Sequence, residues 1–505
     1  MVTPSGVPEE TAVCVVGAGP VGLALAAALV DRGVPVVVLE GGDARGARPA
    51  TERDDALAGT VSPGGLGALT LTRARGVGGT SRIWNTEVGG EPVAKLLALD
   101  PIDYEARPGL PHGGWPIDAD AMAPWVREAA AWCGLDLRLH DTVSEGPDPL
   151  ERGAYGFVPQ RRFLHELPEA VAAAGATVRA GVTTTGLLLE GARVTGVRWR
   201  NATGARGTLR AGTTVLACGT LETTRVLLEA AGAGPTPWGD NPWLGRGLME
   251  HPIDRSLVLR TRSPLLTPDP GFFSPHRAVV TRGGPPGPWR LGRLTLPADW
   301  LRAHRLPNLS VRFPTHEAGG AILQQPTARS WARRLVPGAR LRRAIGDAVR
   351  WGARQTRRLQ SLEYTLHIDL EQWPDRANRV ELAEATDALG RRRLAVHWRW
   401  SDDDERRRQA LLDELTDRLH AAGLGSVTRS AGVSLDPDGH HHAGTTRMHI
   451  DPEGGVVDAD LKVHGAEGLH LCGASVFPTA GVANPTLVAM ALARRLAATL
   501  AADRP

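Results

Sequence analysis

The feature that most constrains this chain lies at its N-terminal end. Residues 12 to 17, AVCVVG, are a short apolar run rich in β-branched residues, and they open into GAGPVG. LALAAALVDRG follows with the Ala and Leu content of a buried helix, and VPVVVLE supplies a second apolar run. Strand, glycine turn, helix and strand make a βαβ unit, in which Gly17, Gly19 and Gly22 have the spacing GxGxxG. One glycine allows the tight turn, one the close approach of a pyrophosphate, and one the packing of helix on strand. Alone, such a run also fits a structural turn. Glu40 sharpens it, because a carboxylate ending the second strand accepts from ribose hydroxyls and repels a 2′-phosphate. An ADP-containing dinucleotide is expected here. No second GxGxxG follows any other strand, so one dinucleotide is expected.

At 505 residues the chain exceeds what one core usually supports, and two or three domains are expected. Its 42% hydrophobic and 22% charged residues exclude disordered, collagenous and small disulfide-stapled classes. The 58 Lys and Arg against 55 acidic residues leave +3, which supplies no general field for nucleic acid or a membrane surface. Only Lys95 and Lys462 are lysines, a bias we attribute to codon usage and give no functional weight. Cys14, Cys133, Cys218 and Cys472 stand far apart without metal spacing and read as buried thiols of a reducing compartment. The first twenty residues have no basic stretch before the apolar run, and no segment reaches the roughly 20 apolar residues of a membrane span. A cytoplasmic protein is expected.

Residues 41 to 92 are Gly-rich and contain RARGVGGTSRIWN, which reads as an ordered loop, so the nucleotide domain must continue later in the chain. Three segments fit: a strand-rich ribbon from 176, LRAGTTVLACGTLETTRVLLEAAG, and GLHLCGASVFPTAGVANPTLVAMALARRLAATL. Between them, LPNLSVRF, EYTLHIDLEQW and RVELAEATDALGRRRLAVHWRW alternate with period two, as antiparallel strands with one wet or cavity-facing side do. The expected fold is a discontinuous α/β Rossmann-type domain over 1–90, 166–250 and 436–505. An α+β substrate domain on an antiparallel sheet takes 91–165 and 251–435.

RGVGGTSRIWN (75–85), VLACGTLETTRVLL (215–228), NPWLGRGLMEHP (241–252), HHAGTTRMHIDPEGGVVD and CGASVFPTAGVANPTL occur in one order over hundreds of residues. With these blocks in view the chain resembles the glucose-methanol-choline family of FAD-dependent oxidoreductases, and most of all its pyranose oxidase-like branch. The resemblance implies FAD-dependent oxidation of an alcohol to a carbonyl, on a sugar, glycoside or sugar-bearing natural product. Reduction by substrate agrees with the single dinucleotide motif, since a flavin enzyme fed by NAD(P)H usually has two. The implied partners are a small-molecule alcohol and an electron acceptor: oxygen, a quinone or a redox protein. A lyase, cyclisation or decarboxylation on the same fold is the alternative; a nucleotide-binding regulatory protein is disfavoured.

Carried over residue by residue, the resemblance implies that Gly78, Gly79, Thr80 and Ser81 line the flavin and pyrophosphate, with Asn85 near flavin N5. Val182, Gly473, Pro485 and Thr486 complete the implied cofactor contacts. Ile83 stands where pyranose oxidases carry the His that bonds covalently to the flavin, so non-covalent FAD is expected. Of the three consecutive histidines, the family's register selects His441 as catalytic, with Asn484 as its partner. A neutral imidazole suits removal of a hydroxyl proton while hydride passes to N5. Solvent-exposed His440 and His442 are expected to flank it, with no metal site, because consecutive side chains diverge. His251 is assigned a structural role.

On a strand over 363–372, Thr365, His367 and Asp369 fall on one face and Leu366, Ile368 and Leu370 on the other. The polar face is either solvated or, as in pyranose oxidases, binds sugar hydroxyls. Ten arginines between 329 and 358, with Leu341, Ile345, Ala348, Gly352, Leu359 and Leu362 at helical spacing, read as a basic amphipathic helix. Its Arg face is read as solvated, the alternative being that it meets an anionic substrate, a lipid surface or a partner.

Overall fold

The apolar run forms the strand Glu10–Val16, whose last four residues are buried. A computed structural model describes this strand and residues 6–44, 55–63, 65–88, 91–135, 150–261, 290–313, 362–430, 435–437 and 439–503. The arginine-rich segment expected to be helical lies outside the described residues. Glu10–Val16 sits in a parallel sheet between Val36–Glu40 and Arg206–Leu216, with Thr177–Ala180 beyond Val36–Glu40. On its other edge Arg206–Leu216 serves two further neighbours. Its first half pairs antiparallel with Arg193–Asn201, which hairpins with Val182–Glu190, and its last three residues pair parallel with Leu469–Leu471. One sheet is thus assembled from residues 10–40, 177–216 and 469–471, a discontinuous Rossmann-type domain.

The helix Pro20–Val30 starts with proline in its first turn, where a missing N–H costs nothing, and nine of its eleven residues are buried. It is apolar all round because it lies between the sheet and the C-terminal helix Thr486–Ala502. The helix Ala119–Cys133 packs on Thr486–Ala502 in the same core through Met122, Val126, Ala129 and Cys133. A boundary at residue 91 assigns that helix to the substrate domain, but packing joins it to the nucleotide domain.

The second sheet runs Ile253–Asp254, His367–Leu370, Leu309–Arg312, Arg290–Thr295, Glu151–Pro159, Glu91–Leu96 and Glu87–Val88, every pair antiparallel. One face is apolar: Leu309, Val311, Ile368 and Leu370 share a core with Leu411, Leu415 and Leu419 of the helix Asp402–Ala421. That helix begins in a capping box of Ser401 and Asp404. The other face is polar and meets the cavity described below.

The single strand expected over 363–372 is two strands in two sheets. Leu362–Thr365 pairs with Leu257–Thr261 in a three-stranded sheet, whereas His367–Leu370 joins the second sheet. Leu366, fully buried between them, breaks the ladder, because its N–H donates to the Leu257 carbonyl while the flanking residues choose different partners. Period-two patterning fixes which face a residue takes, not which neighbour it pairs with. Leu415→Ala should lower unfolding free energy by about 2–5 kcal/mol, since it opens a cavity in a core that joins helix to sheet; urea denaturation measures it.

Candidate functional site

Val16, Leu39, Ala217 and Cys472, at or just past the carboxyl ends of four parallel strands, open onto a cavity of about 720 Å³. The carboxyl edge of such a sheet is where a crevice forms, because the connections leave it in opposite directions. Gly17, at φ +108°, brings the first loop against the turn after Arg206–Leu216; a Cβ there would lie 2.6 Å from the Ala217 carbonyl oxygen. A Cβ on Gly22 would collide with the Gly17 carbonyl. Gly79, at φ +53°, packs its loop directly on the first, and a Cβ there would stand 2.9 Å from the Gly19 Cα. Only glycine lets three backbones meet this closely around one ligand.

Glu40 ties these loops together. Its buried carboxylate accepts from the backbone N–H of Ala18 at 3.0 Å, Gly42 at 2.7 Å and Gly76 at 3.0 Å. A carboxylate offers about four acceptor positions, so three bonds hold the loops and one is left for a ribose hydroxyl. Alongside, Arg73, Arg75 and Arg391 line the cavity. Arg73 donates to Glu222 at 2.7 Å, Arg391 to Asp387 at 2.7 Å, and Arg225 stands 3.5 Å from Glu222. Burial works to raise the Glu222 carboxyl, but Arg225, Arg73 and Arg391 outweigh it and hold it down at about 2. Arg73, Arg75, Arg225 and Arg391 outnumber Glu40, Glu222 and Asp387 and leave a positive excess. The glycine cradle, the helix N-terminus at Gly19 and this excess charge fit the pyrophosphate of a dinucleotide.

Gly19, Thr80, Ser81, Asn85, Gly473, Pro485 and Thr486 also line the cavity, and so does Ile83. Gly22, Gly78 and Val182 stand behind the lining. Gly78 donates its N–H to the Ala18 carbonyl at 2.8 Å, and buried Val182 is followed by Thr183 and Thr184, which do reach the cavity.

At the far end, His441 and Asn484 come together although 43 residues separate them: the Asn484 amide nitrogen is 2.7 Å from His441 Nε2. An amide N–H donates, so Nε2 holds the lone pair. Burial, reinforced by the charges of His251 and Lys95, pushes the His441 imidazolium well below the ordinary histidine range. The ring is therefore neutral at neutral pH. His440 is exposed, with φ +56°, but His442 is buried, which corrects the expectation of a solvated neighbour. Its Nδ1 pairs with the Glu250 carboxylate and its Nε2 lies 3.1 Å from the Thr72 hydroxyl. Glu250, fully buried, also accepts from the His441 backbone N–H at 3.0 Å. Burial works against the Glu250 anion, and His442 with the His441 amide outweighs it, so the carboxyl lies below its usual range.

His251, assigned a structural role from the sequence, reaches the cavity as well. Buried, it lines the cavity with its ring centroid 5.2 Å from that of His441, and neither ring nitrogen has a hydrogen-bond partner among the described residues. Glu250 and His251 were legible only as part of the MEHP turn, whose two polar residues precede a proline without any repeat to mark them.

The polar face of the antiparallel sheet closes this end. His367 and Asp369 line it, while Thr365 is exposed and does not. Arg312 grips Asp369 with two parallel bonds of 2.7 Å, and the Tyr155 hydroxyl donates to the same carboxylate at 3.1 Å. Register explains the pairing, since Arg312 lies opposite His367 and Ser310 opposite Asp369. Among the described residues no three His, Cys, Asp or Glu side chains are arranged to hold a metal ion. No described helix is long and apolar enough to cross a membrane.

A discontinuous dinucleotide domain with one glycine cradle, a second antiparallel sheet and a His–Asn pair carried on loops at the shared cavity defines a flavoprotein class, and known sequences agree. Residues 10–52 match an FAD-binding domain, 125–253 the N-terminal part of GMC oxidoreductases and 374–493 their C-terminal part. The chain belongs to the GMC oxidoreductase family, and FAD is its cofactor. It is 30% identical over 148 residues to the 6'''-hydroxyparomomycin C oxidase of Streptomyces lividus, covering 28% of this chain and 27% of that one. The C-glycoside 3-oxidase of Microbacterium trichothecenolyticum is 33% identical over 132 residues, 24% of this chain and 23% of that one. The matched stretches thus span about a quarter of these curated relatives. The fold is that of pyridoxine 4-oxidase from Mesorbium loti, with a TM-score of 0.56 at 18% identity over 97% of this chain and 99% of that one.

Glu40→Ala should release three buried amides at a cost of roughly 1–3 kcal/mol each and open the cradle. The purified variant is expected to carry much less flavin per chain, read from its visible absorbance.

Proposed function

We propose that this protein oxidises an alcohol to a carbonyl, on a sugar, glycoside or sugar-bearing natural product. The observation that carries the reading is the 2.7 Å contact between Asn484 and a neutral His441 at the cavity wall. The names of the two relatives, one an oxidase of a hydroxyparomomycin and one of C-glycosides, support the substrate class.

Bound FAD supplies the two-electron acceptor for the carbinol hydride. As the substrate hydroxyl replaces the Asn484 N–H at its lone pair, His441 Nε2 takes the hydroxyl proton, and the freed Asn484 amide donates to the same oxygen, orienting it and stabilising negative charge as the carbonyl forms. Glu250 acts at one remove. By accepting the His441 N–H and fixing His442, it sets where the base stands. Gly17, Gly19, Glu40, Gly79, Thr80, Ser81, Asn85, Gly473, Pro485 and Thr486 contact the cofactor in this reading, while Gly22, Gly78 and Val182 shape its bed. His367 and Asp369 face the substrate, and Thr365 leaves the set. FAD is held non-covalently, because the cavity-facing side chain at 83 is isoleucine, which has no atom able to bond to the flavin. Oxygen, a quinone or a redox protein serves as final acceptor.

His441→Ala should slow anaerobic flavin reduction by roughly 10²- to 10⁴-fold with FAD still bound, and Asn484→Ala should slow it as well. Stopped-flow absorbance tests both, and unchanged rates in the two variants would remove the pair from catalysis. The pH profile offers a second test. Because the proton acceptor must be neutral and its pKa lies well below 6.5, the reduction rate should stay on its plateau through pH 6.5 and fall only in more acid solution. Acid precipitation should leave the flavin in the supernatant; flavin in the pellet would contradict non-covalent binding.

A further inference from the structure

Lys95 is one of two lysines among 58 Lys and Arg residues, and it points into the cavity from the strand Glu91–Leu96, two residues after Val93 on the same face. Its ammonium sits 4.6 Å from the centre of the Tyr155 ring. A cation over a ring face is held in position without spending any of its N–H donors. The acid that would otherwise neutralise it is engaged: both Asp369 oxygens take bonds from Arg312, and one also accepts from the Tyr155 hydroxyl. Tyr155 is fixed in turn by the Ser310 hydroxyl at 2.9 Å. Among the described residues no carboxylate pairs with Lys95 and no hydrogen bond engages its ammonium, on a side chain that lines the cavity. Arg255, which also lines the cavity, is paired with Asp436 at 2.8 Å.

We propose that the substrate is an alcohol that carries a carboxylate, and that the Lys95 ammonium is its counter-ion, across the cavity end from His441. The proposal rests on the alcohol-oxidation reading and narrows its substrate class. A compact ammonium with three free donors matches a single carboxylate, and the guanidinium beside it is already consumed by Asp369. The same unpaired charge disfavours a substrate that brings an amine to this end.

The charge is also conditional. Burial, with the Arg312 charge beside it and Asp369 opposing, brings the Lys95 ammonium down to about 8. The groups facing it are Arg312 from Leu309–Arg312, His367 and Asp369 from His367–Leu370, Tyr155 from Glu151–Pro159, and His251 and His441 from the loops. Of these, burial holds His251 and His441 below the ordinary histidine range, His367 meets an Arg312 N–H at Nδ1, Tyr155 is pushed up, and Arg312 and Asp369 hold each other charged, so loss of charge near pH 8 belongs to Lys95. Carboxylate affinity is present below that pH and fades as pH rises through it.

Titration calorimetry on the FAD-loaded protein with methyl glucuronide, methyl glucoside and methyl glucosaminide tests this. The uronide should bind about 10- to 100-fold more tightly than the neutral glucoside at roughly pH 7, and the aminoglucoside most weakly. Raising the pH to roughly 9.5 should erase the uronide preference in the wild type. K95M should lack the preference at both pH values, whereas K95R, whose charge does not titrate, should retain it at the higher one. Flavin content and thermal unfolding report that the variants are folded. Equal affinity for uronide and glucoside in the wild type, including no measurable binding of either, overturns the proposal, and so does a preference that survives K95M. Tighter binding of methyl glucoside 6-phosphate than of the uronide overturns the carboxylate assignment. Because binding is read without turnover, failure to reduce flavin with any alcohol would count against the oxidation reading alone.

Discussion

Three backbone segments approach one another at the carboxyl edge of the parallel sheet, and the Glu40 carboxylate makes that approach stable. The loops after the first strand, after the second strand and around Gly76 each present an amide N–H to it. Buried amides without an acceptor are costly, so an anion at their centre converts a repulsive crowd of donors into a bound cluster. Glycine at 17 and 79 removes the side chains that would hold the loops apart. Everything that lines the cofactor end of the cavity inherits its position from this junction.

The opposite end of the cavity depends on a different device, a sheet with two unlike faces. Leu309, Val311, Ile368 and Leu370 bury against the helix Asp402–Ala421, which fixes the register, and the alternate residues are thereby committed to the cavity. Charge on that face is tolerated because it is paired with good geometry: Arg312 meets Asp369 through two bonds, and Tyr155 adds a third. Lys95 is the departure from that rule, a cation kept in place by a ring rather than by an anion.

Between the two ends lies the His441 loop. Its backbone is held by Glu250 and its neighbour His442 reaches Thr72, so His441 is anchored to the segment around Arg73 that also meets the dinucleotide end. Three adjacent histidines therefore have three environments: one exposed, one facing Asn484 and one locked to a buried acid. Identical side chains in a row differ here only in which way the chain turns them.

The amino-acid sequence by itself determined the βαβ unit, its acidic terminus, the discontinuous domain and the two-faced character of the antiparallel strands. Each of these is a local pattern: a spacing of glycines, a period of two, or motif blocks in a fixed order. The family and the residues His441 and Asn484 were legible for the same reason, through short blocks read against a known order. What only the tertiary structure decided are pairings across long stretches of chain. The break at Leu366 arose because the two halves of one alternating run found better neighbours in different sheets. The bond from His442 to Thr72 spans 370 residues, and the partnership of Glu250 with His441 spans 191. Lys95 carried no functional weight in a linear reading, since its meaning comes from Tyr155 and Arg312, strands away, occupying the acid that would have cancelled it. Periodicity tells a side chain which face to take, but packing and register decide what it meets there.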